Sequence, residues 1–125
     1  MVVIACTCAI SSCKKDQTKP ILQIYAQDSG RTFTLSKGQS LKISLANPGD
    51  GGYNLDAPQY SPSVLKLNDH ILIAPTRTDV IGDFGTDTWE FSALATGSSA
   101  LTITATRPFD KNNPVVMFTG TIVVN

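Results

Sequence analysis

The side chains able to do nucleophilic, acid–base or metal chemistry are few in this chain and poorly spaced for it. His70 is the only histidine, and the three cysteines, Cys6, Cys8 and Cys13, all fall in the first residues. A zinc site at Cys6-Thr7-Cys8 would need ligands from outside that head, and no disulfide can staple the remainder. No nucleophile or carboxylate stands in a recognisable arrangement about His70, which reads as a turn or strand-surface residue, and no phosphate-cradling glycine loop precedes a helix. Asp50, Asp79, Asp83 and Asp87 do not follow the spacing of a calcium loop. These residues argue against an enzyme and against a metal or other cofactor.

Recognition chemistry remains. Three turn-rich segments, Asn47-Pro48-Gly49-Asp50-Gly51-Gly52-Tyr53, Gly82-Asp83-Phe84-Gly85 and Arg107-Pro108-Phe109, lie between runs that alternate apolar and polar residues. Loops held by a rigid sheet are where binding function concentrates. Proline restricts the backbone before binding, and glycine lets main chain come close to a partner. Phe84, between two glycines, is hard to bury in its own core and suits a partner's pocket. Arg107 suits a bracing role or a carboxylate partner.

The elements that must carry these loops are strands. From Ile21 onward the apolar period is two, with β-branched and aromatic runs cut by Gly, Pro and Asx turns. Strands are expected near residues 21–26, 32–35, 40–45, 53–56, 64–74 with a bulge at Asn68-Asp69, 86–94, 100–106 and 116–124. Leu41, Ile43 and Leu45, Trp89 and Phe91, Leu101, Ile103 and Ala105, and Phe118, Ile122 and Val124 each form one apolar face. Tyr53 and Leu55 are expected to point inward together. Turns at Asp28-Ser29-Gly30 and Ser36-Lys37-Gly38 are structural. The result is an all-β, immunoglobulin-like antiparallel sandwich of about eight strands. If successive strands run up and down, the connections after the third, fifth and seventh strands emerge at one end, and the three loops make one surface.

The chain has 125 residues and a formal net charge of zero, which fits one domain and no broad attraction to nucleic acid or anionic lipid. A monomer that recognises its partner locally is expected. The head, Val2 to Ile10, is an apolar run too short to span a bilayer, and it leads into Ile10-Ser11-Ser12-Cys13. That segment resembles the end of a bacterial lipoprotein signal, in which small residues precede a cysteine that is lipidated. The basic region expected of such a signal is missing ahead of it. Residues 1–13 are thus read as a signal remnant, 14–20 as a polar tether and 21–125 as the domain. An exported protein is expected, lipid-anchored through Cys13 in the bacterial cell envelope, with that anchor its sole membrane contact.

Over most of residues 21–125 the chain resembles the chagasin-like inhibitors of papain-type cysteine peptidases, immunoglobulin-like sandwiches bearing three such loops. The family's first loop is Asn-Pro-Thr-Thr-Gly followed by an aromatic; Asn47 and Pro48 match, Gly51 or Gly52 takes the glycine place and Tyr53 the aromatic one. The second loop is glycine-rich and leads into a strand with an aromatic, as Gly82, Gly85, Trp89 and Phe91 do. The third is Arg-Pro-Trp, matched by Arg107 and Pro108 with Phe109 for tryptophan. The resemblance implies reversible, noncovalent blockage of a peptidase cleft by Asn47–Tyr53, Gly82–Gly85 and Arg107–Phe109.

Departures fall where contact is implied. Gly49 and Asp50 replace both threonines, and the first loop is one residue longer. In the family this loop lies across the catalytic cysteine and histidine, which would bring Asp50 near a thiolate and an imidazolium; the carboxylate can favour one or be repelled by the other. Phe109 for tryptophan should cost on the order of 1 kcal/mol if that side chain is an anchor. The competing reading is an immunoglobulin-like adhesion or carbohydrate-binding lipoprotein, which would want Trp89 or Phe91 exposed beside Tyr60 as a stacking platform.

Overall fold

Successive side chains of a strand point to opposite faces, so runs such as Leu41, Ile43, Leu45 can bury their apolar side only against a second sheet. The computed structural model, which describes residues 19–75 and 83–125, has that arrangement. Among the described residues lie β1 (Leu22–Tyr25), β2 (Thr32–Leu35), β3 (Ser40–Ala46), β4 (Asn54–Leu55), β5 (Leu65–Ile73), β6 (Thr86–Ala93), β7 (Gly97–Arg107) and β8 (Asp110–Val124). They form two sheets, ordered β1-β3-β6-β5 and β2-β8-β7-β4. Among the described residues, helical structure is confined to two short 3-10 turns, Ala26–Asp28 and Pro48–Gly51. The expected bulge appears as a register shift in β5 between Leu67 and Asp69.

The core is the meeting of the two inward faces. Leu41, Ile43, Trp89 and Phe91 from one sheet and Leu101, Ile103, Phe118 and Ile122 from the other are fully buried. Tyr60 closes one side, its ring edge-on to Phe91 at 5.2 Å between centroids, a favoured aromatic geometry.

Two pairings depart from a purely antiparallel sandwich. β1 lies parallel to β3, and β2 lies parallel to β8. Parallel neighbours cannot be joined by a tight turn. Here the chain alternates sheets, β1 in the first, β2 in the second and β3 back in the first, so β1 and β3 meet running the same way. A second difference is the length of the final hairpin. β7 and β8 pair from Gly97↔Val124 out to Arg107↔Asp110, well beyond the strand expected from Val116. Asp110 to Pro114 carry no apolar alternation because that stretch is almost wholly exposed; residues 111–114 fall in the register shift between Ala105↔Val115 and Arg107↔Asp110, where Asn113 Nδ2 donates to Asp110 Oδ1 at 2.7 Å. Pro114 is tolerated there because β2 pairs only with Thr121 to Val124, so no outer strand needs its missing N–H.

Strand direction then places the loops. The end of β3 and the end of β5 both lie beside the start of β6, through Ala46↔Thr86 and Ile73↔Thr86. In the other sheet the start of β4 and the end of β7 meet through Asn54↔Thr106. The β3–β4, β5–β6 and β7–β8 connections therefore share one end of the sandwich.

Removal of the Phe91 ring should lower stability by about 3–5 kcal/mol. Urea unfolding followed by the fluorescence of Trp89, the only tryptophan and fully buried, should show a lower midpoint at an unchanged slope for Phe91→Ala.

Candidate functional site

The first loop is a capped turn rather than an open coil. Asn47 is extended, and its side-chain oxygen accepts from Gly49 N–H at 2.8 Å, the usual N-cap bond. Pro48 follows at the first turn position, where a missing N–H is harmless. Gly52 ends the turn at φ 81°, a left-handed conformation that side chains resist, and returns its N–H to the Gly49 carbonyl at 2.9 Å. Asp50 sits exposed on the turn.

The second loop packs against it. Asp83 accepts from Gly85 N–H at 3.0 Å, and the Gly85 carbonyl accepts from Asn47 N–H at 2.9 Å. Phe84 covers Gly49 so closely that a Cβ there would lie 2.7 Å from its ring. The same Cβ would lie 2.8 Å from Asn47 Oδ1, so a side chain at this position would displace both neighbours. Gly82, the remaining residue expected in this loop, lies outside the described residues.

The third loop is the two-residue tip of the β7–β8 hairpin, with Pro108 and Phe109 between the paired Arg107 and Asp110. Arg107 reaches back to the first loop. Its Nε donates to the Gly51 carbonyl at 2.9 Å, and its guanidinium lies over the Tyr53 ring, 4.4 Å from the centroid. Arg107 thus braces, as its type suggested. Phe109 is 80% exposed and Phe84 50%. Two aromatic side chains therefore stand in solvent on loops that hold one another.

Tyr53 corrects an expectation. Leu55 does pack against the core, but Tyr53 is half-buried beneath Arg107 and takes no part in the core cluster. The positively charged plane above its ring, together with the turn at Gly52, keeps it at the loop end.

A polar network lies below the first two loops, and spacing did not reveal it. Asp87, next but one after Gly85 on β6, is 3% exposed. One of its oxygens accepts from Asn47 Nδ2 at 2.7 Å, and the other lies 2.7 Å from His70 Nε2. His70 therefore has a carboxylate partner after all, although it is on the surface of β5 as expected. Its ring also stacks on Trp89 at 4.5 Å and 14° between planes. A β-bulge separates His70 from the alternation of β5, and it pairs across the ladder with Trp89, so its approach to Asp87 depends on strand register. Tyr53, Leu55, His70, Phe84 and Asp87 help line an open concavity of about 430 Å³.

Comparison with known proteins follows the same geometry. The model of the chagasin family peptidase inhibitor I42 matches residues 34–123. Among solved structures, the cysteine protease inhibitor EhICP2 from Entamoeba histolytica superposes with a TM-score of 0.69 at 16% identity, over 84% of this chain and 96% of that one. The solution structure of Amebosin gives 0.62 at 22% identity, over 86% of this chain and all of its own, 100%. These likenesses are of fold. No curated protein sequence matches the chain significantly. The family match starts in β2 and runs into β8, taking in every one of the three loop connections, and on that ground the chain belongs to the chagasin family of peptidase inhibitors.

Proposed function

We propose that the domain inhibits papain-like cysteine peptidases reversibly and without a covalent bond, by seating the end formed by Asn47–Tyr53, Asp83–Gly85 and Arg107–Phe109 in the active-site cleft. The protein is an inhibitor and not an enzyme, as its family is. The observation that carries the assignment of this surface is the mutual bracing of the loops. Arg107 bonds Gly51, Phe84 covers Gly49, and Asn47 bonds Gly85, while the Phe84 and Phe109 side chains remain in solvent. A preorganised wedge gives up little conformational entropy on binding, and exposed aromatics at its tips supply the buried area that anchors a complex. Asp50, exposed on the first loop, meets the cleft in this reading.

A sugar-binding reading loses its platform. Trp89 and Phe91 are both fully buried, and Tyr60 is packed edge-on against Phe91. The exposed aromatics of the loop end are single side chains on separate loops, which suits pockets in a protein partner.

The domain acts as a monomer in this reading, and Cys13 with the polar stretch after it tethers it to a bacterial envelope. Support for the tether is the sequence Ile10-Ser11-Ser12-Cys13 followed by Lys14 to Lys19. Metabolic labelling of the full chain with a fatty-acid analogue should mark the protein and fail with Cys13→Ala; equal labelling of both would remove the anchor.

Titration of residues 19–125 against papain and a cathepsin L-type peptidase tests the main reading. Stoichiometric inhibition is expected, weakened roughly 10- to 1,000-fold when Arg107→Ala and Phe109→Ala are combined, since an anchor and the brace of the first loop are lost together. Arg107→Lys alone should not recover the native affinity, because an ammonium lacks the planar fork that stacks and bonds at once. Full activity of both peptidases in the presence of micromolar folded domain would count against the assignment.

A further inference from the structure

The Asn47 carboxamide faces two demands with opposite polarity. Its oxygen must accept from Gly49 N–H, at 2.8 Å, and its nitrogen donates to Asp87 Oδ2 at 2.7 Å. Turned over, the amide would set its oxygen against a carboxylate and its NH2 against an N–H, and both bonds would be lost. Asp87 is nearly fully buried, and a buried carboxylate requires donors. Its other oxygen lies 2.7 Å from His70 Nε2, on a ring that stacks on Trp89. A carboxylate only accepts, so the imidazole nitrogen facing it carries the proton.

We propose that Asp87 is a positioning residue for the first loop, held from its far side by His70, and that it selects the orientation of Asn47 that shapes the turn Pro48–Gly51. The loop that enters the peptidase is thus aligned from beneath by a charge in β6. For the effect of Asp87 on inhibition the inference rests on the loop end being the peptidase-binding surface; for its effect on the free domain it does not.

The decisive variant is Asn47→Asp. Aspartate caps a turn about as well as asparagine, so a residue acting only as a cap would tolerate the change. A residue aligned by Asp87 would not, because two carboxylates would then face each other across a hydrogen-bonding distance. Combining it with Asp87→Asn restores the pair with its polarity reversed: the new amide nitrogen donates to the new carboxylate, and the amide oxygen still accepts from His70. Two readouts are needed, inhibition of papain and the exchange rate of the Gly49 amide proton by NMR in the free domain, with thermal unfolding confirming that each variant is folded.

The expected result is a rise in the inhibition constant on the order of 100-fold for Asn47→Asp, as for a like-charge contact in a specific site. The Gly49 amide proton should exchange faster in the same variant, and both effects should be largely reversed in the double variant. Native behaviour of the single variant would overturn the inference, as would a double variant no better than the single one. If the wild-type domain itself left papain and cathepsin L-type peptidases active, the inhibitor reading would fail. The Gly49 exchange rates of the three proteins would still decide the role of Asp87: unchanged rates would refute it, and loss followed by recovery would sustain it.

Discussion

Strand β6 is the member on which the rest of the molecule depends. It is the one strand of its sheet that pairs on one side with β3 and on the other with β5, whose ends carry the first two loops. Its inward face bears Trp89 and Phe91, two of the three largest fully buried side chains, and above them Asp87. Hydrophobic burial and polar tie therefore share a single rigid element. Because alternate residues point the same way, the pattern that buries Phe91 and Trp89 also aims Asp87 inward at the loop end. A shift of one residue in its register would turn all three to the other face.

The loops owe their shape to contacts of several kinds. Covalent geometry contributes Pro48 and the left-handed Gly52; backbone bonding joins Asn47 to Gly85; a guanidinium stacked on Tyr53 joins the third loop to the first. Each contact is modest alone. Together they oppose the ordering cost that a mobile loop would incur on binding, and so leave more of the interaction free energy to appear as affinity. Phe84 and Phe109 still leave 50% and 80% of their surface in solvent, area of the kind that a partner's pocket buries.

The departures from the family's loop residues acquire a physical setting here. At Gly49, where the resemblance would put a threonine, a Cβ would come within 2.7 Å of the Phe84 ring and 2.8 Å of Asn47 Oδ1. Asp50, by contrast, is exposed and makes no side-chain hydrogen bond among the described residues. Phe109 in place of tryptophan stands almost fully in solvent, so the exchange alters what is presented and not how the hairpin is held.

The sequence by itself determined the strands, their inward faces and the end at which the loops emerge. Those properties follow from local chemistry: a period of two, turn residues between the runs, and the alternation of direction along the chain. It also marked Asn47 and Pro48 as loop residues, since proline and Asx chemistry acts within a few residues, whereas Arg107, expected in the third loop, is the last residue of β7. Tyr53 was misplaced by the same rule, because period two continued one residue too far into a turn whose glycine reverses the chain. The parallel pairings, the long exposed hairpin and the union of Asn47, Asp87 and His70 were decided by tertiary structure alone. Asn47 and Asp87 are distant in sequence and meet only through the register of β3 on β6, and His70 joins them only through the bulge in β5. No local preference encodes a contact whose partners are brought together by packing two sheets.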